Sequence, residues 1–459
     1  MPFLLARHTL SAAMVALVLV AASAPAATDP VAMAIELLAS DDADFRTIGL
    51  DAVRYAARGA AATGTFAKLL EQEPPARQVE LVRALADRGD AAALPALVAL
   101  LDRAREPALR TAALAAIGAL GSGAEVPVLL KSLAARDPER TAARRALAAL
   151  RGTDAGGRIV AALKSGDAAL RPVLIETLGD RRARTVLPDI APFATDSDAG
   201  VRRAAMRVLG SLGGAAQVPT MIGALLALAP GDERQAAERA VVTVCTRNPG
   251  HAEAAQVFLK TFQAAPENEQ EAILPVLGAI GGGPALAIVD AMIASDDTGK
   301  RTLGLKALTR WPDATVAPRL FDRIGATRDQ AERDLLLGAL IRIAPLPDNK
   351  LDDAGKLDLV KRTMALCTTD ADRARLLERA NAIRTVETFR FVVPYLDQPA
   401  LAPAACKSVV ELAHHRNLRD AHKAEFLAAL DRVIATAQDA ELVERAGRYK
   451  EGKTWERKR

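Results

Sequence analysis

The sequence predicts an all-α chain, a right-handed α-α superhelical solenoid of antiparallel helix pairs. Three observations lead there. The apolar bulk comes from strong helix formers, apolar residues recur at one-face helical spacing, and a shared motif returns about every 32 residues.

Composition comes first. The chain has 459 residues, half of them hydrophobic and only 3% aromatic. That length exceeds one compact core, so several domains or a repetitive array are expected. Ala, Leu and Val carry the apolar content, and long alternating runs of Val, Ile, Thr and Tyr are missing, which argues against a β-rich fold.

The repeat follows from the spacing. In 201–213 the apolar positions are Val201, Ala204, Ala205, Val208, Leu209 and Leu212, one face of an amphipathic helix. Leu109 to Gly121 and Glu269 to Gly281 place apolar and glycine residues in the same register, ending Ile117-Gly118-Ala119-Leu120-Gly121 and Leu277-Gly278-Ala279-Ile280-Gly281. Arginine recurs in one column: Arg46, Arg77, Arg110, Arg140, Arg171, Arg202, Arg234, Arg301, Arg333 and Arg373, with Gln270 taking the place once. An acid stands four residues earlier in most units, at Asp42, Glu73, Glu106, Asp167, Asp198, Asp297 and Asp329. Asp is a good helix N-cap, and Pro in a first turn loses no hydrogen bond. Gly after the last apolar residue is expected to permit a left-handed helix stop. The arginine, one turn in, is expected to pair with its own or a neighbouring acid as a stacked ladder.

A shorter helix precedes each of these, as in 126–133, 157–163, 186–193, 218–228 and 316–324, several with proline in the first turn. Roughly thirteen helix pairs result. The pattern acid-x-x-apolar-Arg-x-x-Ala-x-x-x-Leu-Gly-x-Leu-Gly resembles the HEAT repeat, in the short form of phycobilin-lyase-type HEAT-like proteins. The likeness is tightest over 106–213, fair over 42–89 and 269–343, and weak after Leu346. It implies an ARM-type helical scaffold that binds protein partners. The family also contains a few enzymes, so a lyase-type enzyme is one alternative, and a non-catalytic subunit of a larger exported complex is another.

The domain reading is a signal peptide over 1–26, a HEAT-like array over 28–345, divergent helical repeats over 350–449 and a charged tail over 450–459. The signal rests on Arg7, the apolar run from Leu10 to Ala22 and the small residues Ala24-Pro25-Ala26. It places the chain in the periplasm or outside the cell, with no stable membrane span in the mature protein. The formal net charge is +4, too little to argue for nucleic acid.

The search for chemistry returns no catalytic constellation, no cofactor motif and no metal set. Cys245, Cys367 and Cys406 read as buried core residues. His414, His415 and His422 form the one histidine cluster, without a standard zinc spacing. Gly281-Gly282-Gly283-Pro284 lacks the Lys-Ser/Thr of a phosphate loop. The remaining candidate is an interaction surface on the second helices, where Arg144, Arg145, Arg203 and Arg207 are expected to give local positive character.

Overall fold

A computed structural model describes residues 29–166, 168–347 and 350–455. Residues 1–28, which include the expected signal segment over 1–26, lie outside the described residues, as do Asp167, Asp348, Asn349 and 456–459. Among the described residues there are 27 α-helices, short 3-10 turns and no strand. None of these helices is long and apolar enough to cross a membrane.

The chain divides into two compact units, Met1–Gly213 and Gly214–Arg459. In the first, the helices Ala43–Tyr55, Pro75–Arg88, Pro107–Leu120, Glu139–Ala149, Arg171–Asp180 and Ala199–Leu212 pack side by side in that order, each also packed against the helix before it, which is the shorter of the two in every pair but Asp154–Ser165 with Arg171–Asp180. In the second unit, Asp232–Thr246, Glu267–Ile280 and Thr298–Leu308 pack in order, and Gln330–Ile343, Asp370–Ala380 and Ala402–His414 continue the series. Their apolar faces form the core. Leu114, Ile117, Leu147, Ile175, Leu178 and Leu209 are fully buried, each contributing about 1.5–3 kcal/mol.

The short helices lie where the spacing puts them, at Val126–Leu133, Asp154–Ser165, Val218–Leu226 and Ala317–Ala326. Pro127, Pro219 and Pro318 occupy their first turns. Two first helices are broken. Leu187–Ile190 passes into a 3-10 segment at Ala191–Thr195, and Val386–Val392 into one at Val393–Asp397. Pro192 and Pro394 lie just past each break and cannot donate to the α ladder.

The glycines of the repeat do two jobs. A Cβ on Gly118 would lie 2.5 Å from Ala146 Cα, and one on Gly278 would lie 2.2 Å from the Ala307 carbonyl oxygen. The first glycine of the motif therefore permits close approach of consecutive second helices. The helix-stopping glycines depart from expectation. Gly89 and Gly281 have positive φ, but Gly121 and Gly213 are extended, at φ −78° and −63°. At Gly121 space is the constraint: a Cβ would come within 2.6 Å of the Ile117 carbonyl oxygen.

The arginine column meets the expected acid ladder only in part: Arg77 pairs with Asp41, Arg110 with Glu139 and Arg171 with Asp196, acids of adjacent repeats, but most members are held by backbone carbonyls. Arg110 Nη1 donates to the carbonyls of Leu101 and Ala104 at 2.7 and 3.0 Å. Arg140 Nε donates to Leu133 and Ala135, Arg202 Nη1 to Asp196 and Ser197, and Arg234 Nη1 to Leu228. Arg46, Arg301, Arg333 and Arg373 make equivalent bonds. Each guanidinium thus caps the end of the first helix of its own pair, or the turn after it, where carbonyls lack helical partners and the helix dipole is negative. Among the described acids four residues upstream, only Glu73 is met by its own arginine, Arg77, at 4.0 Å. The aspartates serve as N-caps instead: Asp42, Asp198, Asp297 and Asp329 accept from backbone N–H groups at 2.7–2.9 Å.

Candidate interaction surface

Arg144 and Arg145 lie on Glu139–Ala149, and Arg203 and Arg207 on Ala199–Leu212. Arg171–Asp180 packs between these two helices. It brings Glu176 and Asp180 to the same surface. Arg144 pairs with Glu176 at 2.9 Å and with Asp180 at 2.7 Å, and Arg207 reaches Glu176 from the other side. One carboxylate therefore ties two arginines two repeats apart, and their positive charge is largely offset locally. Arg207 is 63% exposed, so such a pair contributes at most about 1 kcal/mol. Arg145 and Arg203 are exposed and carry no ion pair among the described residues.

The sequence reading missed a second arginine series at the far ends of the second helices. Arg88 donates to the carbonyls of Val53, Ala56 and Ala57. Arg181 donates to Leu147, Ala148 and Leu150. Arg342 donates to Thr309 and Trp311, and Arg379 to Ile341 and Arg342. Every one of these partners lies in or just past the C-terminal end of the preceding second helix. The series has no constant offset from the first column, so no single register reveals it. Burial pushes the pKa values of Arg88, Arg181 and Arg342 down.

The other sequence candidates have defined surroundings. His414 Nδ1 lies 2.9 Å from the Tyr449 hydroxyl, and His422 Nδ1 3.8 Å from Glu425 Oε1. Arg416–Ala421 forms a short helix between His415 and His422. Among the described residues no three His, Cys, Asp or Glu side chains converge to hold a metal ion. Cys245, Cys367 and Cys406 are buried free thiols. Burial pushes Cys245 up to about 12 and Cys367 to about 11, and raises Cys406 as well. Trp311 is 1% exposed, and its indole N–H donates to Thr315.

A family comparison agrees with this architecture. Residues 64–151 and 158–242 match the family described as HEAT repeats. No curated protein matches the chain. Among solved structures, Kap121p bound to Nup53p is similar at 13% identity and a TM-score of 0.45, over 92% of this chain and 52% of that one. The chain spans about half the length of the karyopherin structures it matches. Human deoxyhypusine hydroxylase is similar at 20% identity and a TM-score of 0.23, over 61% of this chain and 95% of that one. The CpcE–CpcF complex of phycocyanin lyase from Nostoc sp. PCC7120 is similar at 18% identity and a TM-score of 0.23, over 69% and 96%. With their helix pairs, carbonyl-capping arginines and close-approach glycines in register, residues 64–151 and 158–242 are HEAT repeats, and the helix pairs on either side continue the same helical architecture.

Proposed function

We propose that this protein is an exported scaffold that holds a protein partner along the solvent face of its second helices, acting by binding rather than by catalysis. The observation that carries the reading is the side-by-side packing of second helices, which sets side chains from successive repeats on one surface. Arg144, Glu176, Asp180 and Arg207 do this across three helices. Stacked repeats present such extended surfaces without needing long-range closure. Export rests on the Arg7–Ala26 segment, in which a short basic start, an apolar run and small residues follow one another.

The test has two parts. The full chain is expressed with a C-terminal tag, and the exported fraction is separated and sequenced from its N-terminus. A mature start at Ala27 is expected; full retention in the cytoplasm would sink the export claim. The same fraction is then used for a gentle pull-down, where a near-stoichiometric protein partner is expected. Recovery of the tagged chain alone would count against the scaffold.

A further inference from the structure

The second arginine series changes character within the second unit. Arg310 follows the helix Thr298–Leu308. Arg342 donates to the Thr309 carbonyl at 2.9 Å and to that of Trp311, the two residues flanking Arg310. Arg379 donates to the carbonyls of Ile341 and Arg342 at 3.1 and 2.9 Å. Each guanidinium is thus seated on the backbone that carries the preceding arginine. Arg384 lies in the turn after Asp370–Ala380, on the same repeat as Arg379, and bears electrostatically on His415.

Nearby acids do little to neutralise this line. Glu238 reaches Arg310 at 3.2 Å but also meets Arg234. Asp313 is taken up by Lys350 at 3.1 Å, and Glu411 by Arg445 at 2.7 Å. Among the described residues Arg342, Arg379 and Arg384 have no carboxylate partner. Arg379 and Arg384 are exposed, and Arg310 is 51% exposed. Burial and then the charges of Arg379 and Arg310 lower the Arg342 pKa, as uncompensated like charges should.

We infer that Arg310, Arg342, Arg379 and Arg384 form a cationic rail for an extended, acidic segment of a protein partner. The rail deepens the scaffold reading and rests on it. Its spacing specifies the ligand. Packed helices lie about 8–10 Å apart, and an extended chain rises about 3.3 Å per residue. A carboxylate at every third residue therefore meets Arg310, Arg342 and Arg379 in turn, with Arg384 beside Arg379 on the same repeat. Single-stranded nucleic acid fits less well, because base binding relies on exposed aromatic platforms and Trp311, beside Arg310, is buried.

The experiment uses the full chain and fluorescein-labelled peptides in anisotropy titrations. The probes are (Glu-Gly-Ser) repeated five times, a peptide of the same composition with its five glutamates contiguous, a fifteen-nucleotide oligo-dT and vesicles containing phosphatidylserine. The expected result is preferential binding of the every-third peptide, weakened about tenfold in an R379E/R384E variant and unchanged in R105E/R136E, at two exposed arginines outside the second helices. R384E alone, at a side chain with no hydrogen-bond partner among the described residues, keeps the test valid should R379E disturb folding. Undiminished binding by R384E and R379E/R384E overturns the rail. Equal or tighter binding of oligo-dT or vesicles through the same arginines overturns the choice of a protein segment. A partner pulled down equally by wild type and R379E/R384E also overturns the rail while leaving the scaffold standing.

Discussion

Gln270 stands where the other repeats have arginine, and its amide donates to the Ala265 carbonyl at 3.0 Å. A neutral donor fills the position because the partner there is a carbonyl. Substitutions should then divide by what else each guanidinium holds. Arg140 donates to carbonyls, so Arg140→Gln should cost less than about 1 kcal/mol. Arg110 also makes a two-point contact with Glu139 at 2.6 and 2.7 Å. Arg110→Gln should cost about 1–3 kcal/mol, since it removes a charged hydrogen-bonded pair that is largely screened from solvent. Urea titration of both variants measures the difference, and equal losses would mean that carbonyl capping is the whole effect. Glu139 also predicts a pH dependence. Its hydrogen bonds to Arg110 outweigh burial and hold its carboxyl below the usual range. A carboxylate with a depressed folded-state pKa stabilises the fold above its unfolded value, and that stabilisation fades as pH falls through the folded value. The wild type should therefore lose stability below about pH 4.5, and Glu139→Gln should flatten that part of the profile.

At the scale of helices, two look-alike motifs separate. Ile117-Gly118-Ala119-Leu120 and Leu337-Gly338-Ala339-Leu340 are almost the same sequence. Gly118 lies against Ala146, whereas a Cβ on Gly338 would meet nothing within 4 Å. Their distance from the column arginine explains this: eight residues from Arg110 to Gly118, but five from Arg333 to Gly338, which turns the glycine to another face. Gly118→Val and Gly278→Val should each cost about 1–3 kcal/mol through forced separation of second helices. Gly338→Ala should add up to about 1 kcal/mol by helix propensity. Thermal midpoints followed by circular dichroism decide it, and a destabilised Gly338→Ala would refute the register argument. The helix pairs, their proline starts and aspartate caps were legible because local spacing encodes them. The carbonyl targets of the arginines were not, since a backbone acceptor leaves no mark in side-chain identity. The second arginine series was hidden for a related reason: its members reach back to the preceding repeat from variable offsets. On the candidate surface, the positions of Arg144 and Arg207 were readable, but their shared use of Glu176 depends on how three helices align.

For the whole molecule, stability should be distributed repeat by repeat. Each helix pair contacts mainly its neighbours, so the free energy approaches a sum of repeat and nearest-neighbour contributions, and a single two-state transition is not required. The chain supplies its own reporters for one unit. Trp311, Trp455, Cys245, Cys367 and Cys406 all fall within Gly214–Arg459. Trp311 is buried, and burial keeps the three thiols protonated well above neutral pH, with Cys245 at about 12. A thiol reagent at pH 8 should therefore label them only through opening of the surrounding helices. Far-ultraviolet circular dichroism, by contrast, reports helices in both units. Gly118→Val falls in Met1–Gly213. It should shift an early part of the dichroism transition to lower urea while leaving the tryptophan midpoint and the thiol-labelling rate at their wild-type values. Gly278→Val should move the tryptophan and thiol signals. Were Gly118→Val to displace all three observables equally, the units would unfold as one cooperative body, and the nearest-neighbour account of this array would be wrong.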